Sequence, residues 1–123
     1  KVIMDVNLKL RVDLYKYDQY ANKLMVSLVD EFVAYSKKMK FKPVFLLMPQ
    51  KDDVSFIKRK KEFFYKDFMM AIKDKLTVVD FNHTLLKAGN LDDLYSDDNK
   101  YGGHYSKLGN ELLAKTLQKR LFH

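Results

Sequence analysis

Apolar and polar positions divide this chain into segments of different period. Val2, Met4, Val6, Leu8 and Leu10 alternate with mostly polar residues, which is the period of a half-buried strand, although Ile3 makes the first residues apolar on both faces. From about Asp13 to Met39 the period lengthens. Leu14, Tyr17, Ala21, Leu24, Leu28, Phe32 and Met39 keep three-to-four spacing, which predicts one long amphipathic helix capped by Asp13. Phe41-Lys42-Pro43 breaks it. Val44-Phe45-Leu46-Leu47-Met48 is then a continuous apolar run closed by Pro49, the pattern of a strand buried on both faces. A second long helix is expected from near Ser55 to about Lys75, with Ile57, Phe64, Phe68, Ala71 and Ile72 toward the sheet. Leu76-Thr77-Val78-Val79-Asp80-Phe81 reads as a third strand. Residues 82–103 are polar and turn-rich, with a short helical stretch around Leu91 to Tyr95. Ser106 is a good N-cap for the last helix, along which Leu108, Leu112, Leu113, Leu117 and Leu121 share a face.

Strands alternating with helices imply an α/β fold, with parallel strands, right-handed crossovers and helices on the sheet faces. Three strands make a small sheet for that arrangement. The expectation is therefore a single domain over residues 1–123 that is incomplete by itself, its sheet finished by an upstream segment or a partner chain. The start at Lys1 rather than Met agrees with a processed or excised piece.

Composition narrows the function classes. With 123 residues and 47% hydrophobic content the chain is long enough for one real core. No run approaches the roughly 18 apolar residues of a membrane span, and the polar, alternating start lacks the pattern of a secretory signal. The absence of cysteine excludes disulfide and thiolate chemistry. A net charge of +7 invites nucleic acid as a partner. Against this, Arg11, Arg59 and Arg120 are the three arginines among 23 basic residues, and bidentate phosphate and guanine contacts favour arginine. The run Lys58-Arg59-Lys60-Lys61 lies inside a predicted helix as a solvated face. No specific nucleic-acid partner is expected.

Candidate chemistry centres on Tyr101-Gly102-Gly103-His104-Tyr105-Ser106. Glycines ahead of a histidine, and a helix start just behind it, are a setting for a base in a cleft. Open parallel sheets bind ligands outside the carboxyl ends of their strands. The loop carrying His104 leaves such an end, and Pro49-Gln50 closes the middle strand at the same rim. His83, just after the last strand, reads as structural. Asp92, Asp93, Asp97, Asp98 and Asn99 offer hard oxygen ligands without the spacing of a calcium loop, so no metal and no cofactor are expected.

Three pieces, in this order, resemble the C-terminal half of an SGNH (GDSL-type) hydrolase. Pro43-Val44-Phe45-Leu46-Leu47-Met48-Pro49 resembles that family's fourth strand, and the strand ending in Val79-Asp80 its fifth. His104-Tyr105-Ser106-Lys107-Leu108-Gly109-Asn110, running into an apolar helix, is similar to the block that carries the catalytic histidine. The match spans roughly residues 40 to 121. The resemblance implies a three-layer α/β/α, flavodoxin-like sheet and a Ser-His mechanism of ester or acyl-group hydrolysis, or acyl transfer, on a small-molecule or glycan ester. It assigns His104 the role of general base and then general acid. Asn7, at the end of the first expected strand, stands for the family's oxyanion asparagine, although Asp5 and Leu8 replace the glycine and aspartate around it. No Gly-Asp-Ser motif is present, so the nucleophile is expected outside this chain. Gly102 or Tyr101 stands where the orienting aspartate would be, and Asp97 or Asp98 is left to orient the ring. The alternative is a non-catalytic binding or interaction module that kept the fold and lost the chemistry.

Overall fold

In the computed structural model, which describes residues 2–96 and 102–122, the N-terminal segment is helical. Helix α1 spans Val2–Lys16 and helix α2 spans Gln19–Met39. The strand expected over Val2 to Leu10 is thus corrected. Its alternation coincides with a helix that is apolar on two opposite sides. Val12 is buried and Leu8 and Tyr15 are half-buried at spacings of four and three, whereas Ile3, Val6, Leu10 and Leu14 recur at three-to-four spacing on the exposed side. Lys9 and Asp13, one turn apart at 2.6 Å, add a local ion pair.

The single helix expected from Asp13 is divided at Tyr17-Asp18. Asp18 is extended (φ −86°, ψ 94°), and its carboxylate accepts from the Ala21 amide at 2.9 Å, the geometry of an N-cap. Asn22 Nδ2 donates back to the Leu14 and Tyr15 carbonyls at 3.1 and 3.0 Å, which satisfies the end of α1. The row expected to face inward along α2 faces outward instead. Val29 and Ser36 are buried, Met25, Val26 and Val33 half-buried, and Leu24, Leu28, Phe32 and Met39 exposed.

Strands β1 (Val44–Leu47) and β2 (Thr77–Asp80) fall where the apolar runs predict them and pair in parallel. Two helices connect them, α3 (Lys51–Lys60) and α4 (Lys66–Ile72), where one long helix was expected. Lys61 ends α3 in the left-handed region at φ 56°. Ile57, Phe64, Phe68 and Ile72 are buried as their spacing predicts, and Ala71 is exposed. Beyond β2 come the short α5 (Asn82–Leu85), a 3-10 turn at Asp92–Leu94, and α6 (Lys107–Leu121). Ser106 caps α6 as expected, accepting from the Gly109 amide at 3.1 Å. The fold is mixed α/β and mostly helical, and among the described residues its sheet has two strands rather than three.

The chain forms two compact units, Lys1–Phe45 with Phe63–Val78 and Leu46–Glu62 with Val79–His123. In the first, Val29, Phe68 and Ile72 form the core, and the rings of Phe45 and Tyr15 lie 5.5 and 5.9 Å from that of Phe68. In the second, Val54, Phe81, Leu85, Leu94, Tyr95 and Leu113 form the core. Burial of a side chain such as Phe68 or Phe81 contributes about 2–3 kcal/mol.

Helix α6 approaches the 3-10 turn through Gly109. A Cβ built there would lie 2.1 Å from the Leu94 carbonyl oxygen, so backbone proximity rather than unusual dihedrals demands glycine. Ala would gain about 1 kcal/mol in helix propensity, and the clash outweighs it. Gly109→Ala is expected to destabilise the chain by at least about 2 kcal/mol in urea unfolding. Gly89→Ala, with nothing within 4 Å of its Cβ, is expected to stay within about 0.5 kcal/mol. Equal stability for the two variants would refute this packing.

Candidate functional site

The second unit collects its polar chemistry at the carboxyl ends of the strands. After Leu47, β1 runs through Met48 and Pro49 into Gln50, which is extended (φ −74°, ψ 162°) and begins α3. The Gln50 amide donates to Asp53 Oδ2 at 3.0 Å, and Asp52 and Asp53 place negative charge in the first helical turn, where the helix dipole favours it. Lys51 is buried beside them, and its ammonium reaches Asp92 Oδ1 at 2.5 Å. A cation withdrawn from water needs such a partner. At the tip of β2, Asp80 Oδ1 accepts from the Asn82 amide at 2.9 Å, and Asp80 Oδ2 lies 3.6 Å from His83 Nε2. The Phe81 amide donates to the Leu47 carbonyl at 3.1 Å, so the two strand ends stay in register at this rim.

The histidine loop is fastened to the same rim. Tyr95 and Tyr105 form an isolated antiparallel bridge, flanked by Ser96 N–H donating to the His104 carbonyl (2.8 Å) and Ser106 N–H donating to Leu94 (3.0 Å). The Lys51 amide donates to the Gly102 carbonyl at 2.8 Å. Gly103 rests on Gln50, and a Cβ there would meet the Gln50 side chain at 3.5 Å, an ordinary contact. Among the described residues no glycine has positive φ. The glycines ahead of His104 therefore do not owe their place to a left-handed backbone. His104 itself is exposed.

Two hydroxyls fix this loop from beneath. Tyr95 Oη and Tyr105 Oη both donate to the Pro49 carbonyl at 2.8 Å, with ring centroids 4.9 Å apart, and Phe81 meets Tyr105 edge-on at 5.5 Å. Burial, first of all, raises the pKa of both tyrosines. For Tyr95 the neighbouring Tyr105 adds to the effect; Tyr105 is pushed up to about 12, with Asp53 also raising it.

The structure places the other expected residues differently. Asn7 is not at a strand end; it is an exposed residue within α1, so the placement that suggested an oxyanion donor is overturned. Asp97 and Asp98 lie outside the described residues. All five serine hydroxyls donate to backbone carbonyls: Ser27 to Lys23, Ser36 to Val33, Ser55 to Lys51, Ser96 to His104 and Ser106 to Asp93. Among the described residues, no group of three or more His, Asp or Glu is arranged to hold a metal ion. Nor is any helix there long and apolar enough to cross a membrane. The buried Lys51-Asp52-Asp53 cluster and the Asp80–His83 pair were missed from sequence. The available signal was Pro49-Gln50 ahead of two aspartates at a strand end. No family model, curated protein or solved structure matches the chain.

The tyrosine pair makes a pH prediction. A group whose folded pKa is raised contributes stability that is complete below its unfolded value, near 10, and is lost as pH climbs through the folded value. The chain should therefore lose stability from about pH 10 upward, through about 12 for Tyr105. Tyr105→Phe should flatten that loss, at a cost of about 1 kcal/mol at neutral pH for the hydrogen bond to Pro49. Denaturant melts across this range, with tyrosinate absorbance, check it; identical alkaline profiles for both proteins would contradict it.

Proposed function

We propose that this chain is the histidine-bearing C-terminal portion of an SGNH-type ester hydrolase or deacylase, acting on a small-molecule or glycan ester with a serine supplied from outside these residues. One observation carries it: the loop of His104 is tied by Lys51 N–H to Gly102 O, and by Gly103 on Gln50, to the carboxyl end of a parallel strand. Ligands of open parallel sheets bind at that end. His104 takes the serine Oγ proton as the Oγ–acyl bond forms and passes it to the alkoxide as the ester C–O bond breaks; water then releases the acyl group by the same route. The five occupied serine hydroxyls support a nucleophile from elsewhere. The two strands then belong to a larger three-layer α/β/α sheet, completed by an upstream segment or a partner chain.

Those same hydroxyls favour a second reading if the chain acts alone, a binding or interaction module without chemistry. Fluorophosphonate labelling and ester hydrolysis by the intact product separate the two. His104→Ala should abolish labelling and lower turnover at least about 1,000-fold, while His83→Gln stays within a few-fold. Unchanged turnover in His104→Ala removes that residue from the mechanism, and collapse in His83→Gln instead moves the base to the Asp80 side. An intact product that neither labels nor hydrolyses, yet folds and binds a glycan or protein, supports the second reading.

A further inference from the structure

Helix α2 is apolar on two sides. One side, through Val29 and Val33, belongs to the core of the first unit. The other carries Tyr20, Leu24, Leu28, Phe32, Tyr35 and Met39, each 46–78% exposed. At about 150–250 Å² for a large side chain when fully open, this row offers on the order of 500–850 Å². The largest apolar patch on a typical monomer is about 300–600 Å², and each partner in a standard interface contributes about 800 Å².

We propose that this row binds a second copy of the chain, α2 against α2 and antiparallel about a two-fold axis. Leu28, Phe32, Tyr35 and Met39 follow the 4-3-4 spacing of a coiled-coil seam, alternating d and a positions. Antiparallel seams stack a on d, which sets Phe32 on the partner's Tyr35 and Leu28 on the partner's Met39. In that register Glu31 and Lys38, exposed g positions one heptad apart, meet the partner's Lys38 and the partner's Glu31. The hydrophobic layers and the charges thus select the same alignment. A parallel pair would set g against e, and the e positions are Val29 and Ser36, which carry no charge to meet Glu31 and Lys38. A two-fold contact is also the commonest way for a surface to satisfy itself.

Sedimentation of the 123-residue chain from about 1 to 100 μM tests it. A dimer is expected. Glu31→Lys or Lys38→Glu alone converts both cross-pairs to repulsion and should weaken the dimer at least about tenfold, while the double exchange E31K/K38E restores it to within about threefold. Both changed positions are exposed, and circular dichroism verifies that the fold survives in all three variants. A monomer at every concentration overturns the proposal, and so does a dimer indifferent to the single changes or unrescued by the double one. A chain that stays monomeric and instead co-sediments with phosphatidylglycerol vesicles overturns it too.

Discussion

The carbonyl of Pro49 has left the strand ladder and is buried, so its oxygen must find donors within the protein. It finds two, the hydroxyls of Tyr95 and Tyr105. Those residues form the bridge that closes the histidine loop, and two residues past Pro49 the Lys51 amide binds the loop's Gly102 carbonyl. From this knot the rest of the second unit follows. Ser106, directly behind Tyr105, donates to Asp93 and caps α6, and α6 lies against the 3-10 turn through Gly109. The position of His104 is thus a consequence of satisfying one buried carbonyl.

Segments with a single physical explanation were legible in the sequence. Val44 to Leu47 and Thr77 to Asp80 are short apolar runs closed by Pro49 or followed by turn residues, and they are strands. Ser106 with its leucines had no rival to a capped helix. The N-terminal segment had two explanations. Its residues fit both a period of two and a helix with two apolar sides, and the inward contacts of Val12 and Tyr15 decide for the helix. Along α2 the same double-sidedness concealed which row faces the core. The split at Asp18 was hidden because a carboxylate that caps the next helix resembles one on a solvated face.

The rim that carries the histidine loop was legible as a place, but the side chains gathered there were not. The histidine loop and the proline-closed strand were expected at one rim, and the hydrogen bond from Lys51 to Gly102, with Gly103 beside the Gln50 side chain, brings them together. Lys51, Asp52 and Asp53 were not singled out, because charged residues at a helix start are ordinarily solvated, and only the folded chain reveals their burial. Asn7 illustrates the reverse error: its proposed role depended on a strand that is a helix. Polar chemistry belongs to the second unit and the open apolar row of α2 to the first, so the proposed catalysis and the proposed self-association draw on different residues.

Amide hydrogen exchange at Lys51, followed by NMR, tests the central claim most directly. If the histidine loop is held at the tip of β1, the Lys51 amide is locked onto the Gly102 carbonyl and exchanges as slowly as the core amide of Phe81. Exchange of Lys51 at the rate of an open chain, with Phe81 still protected, would show the loop detached from the rim and contradict the account.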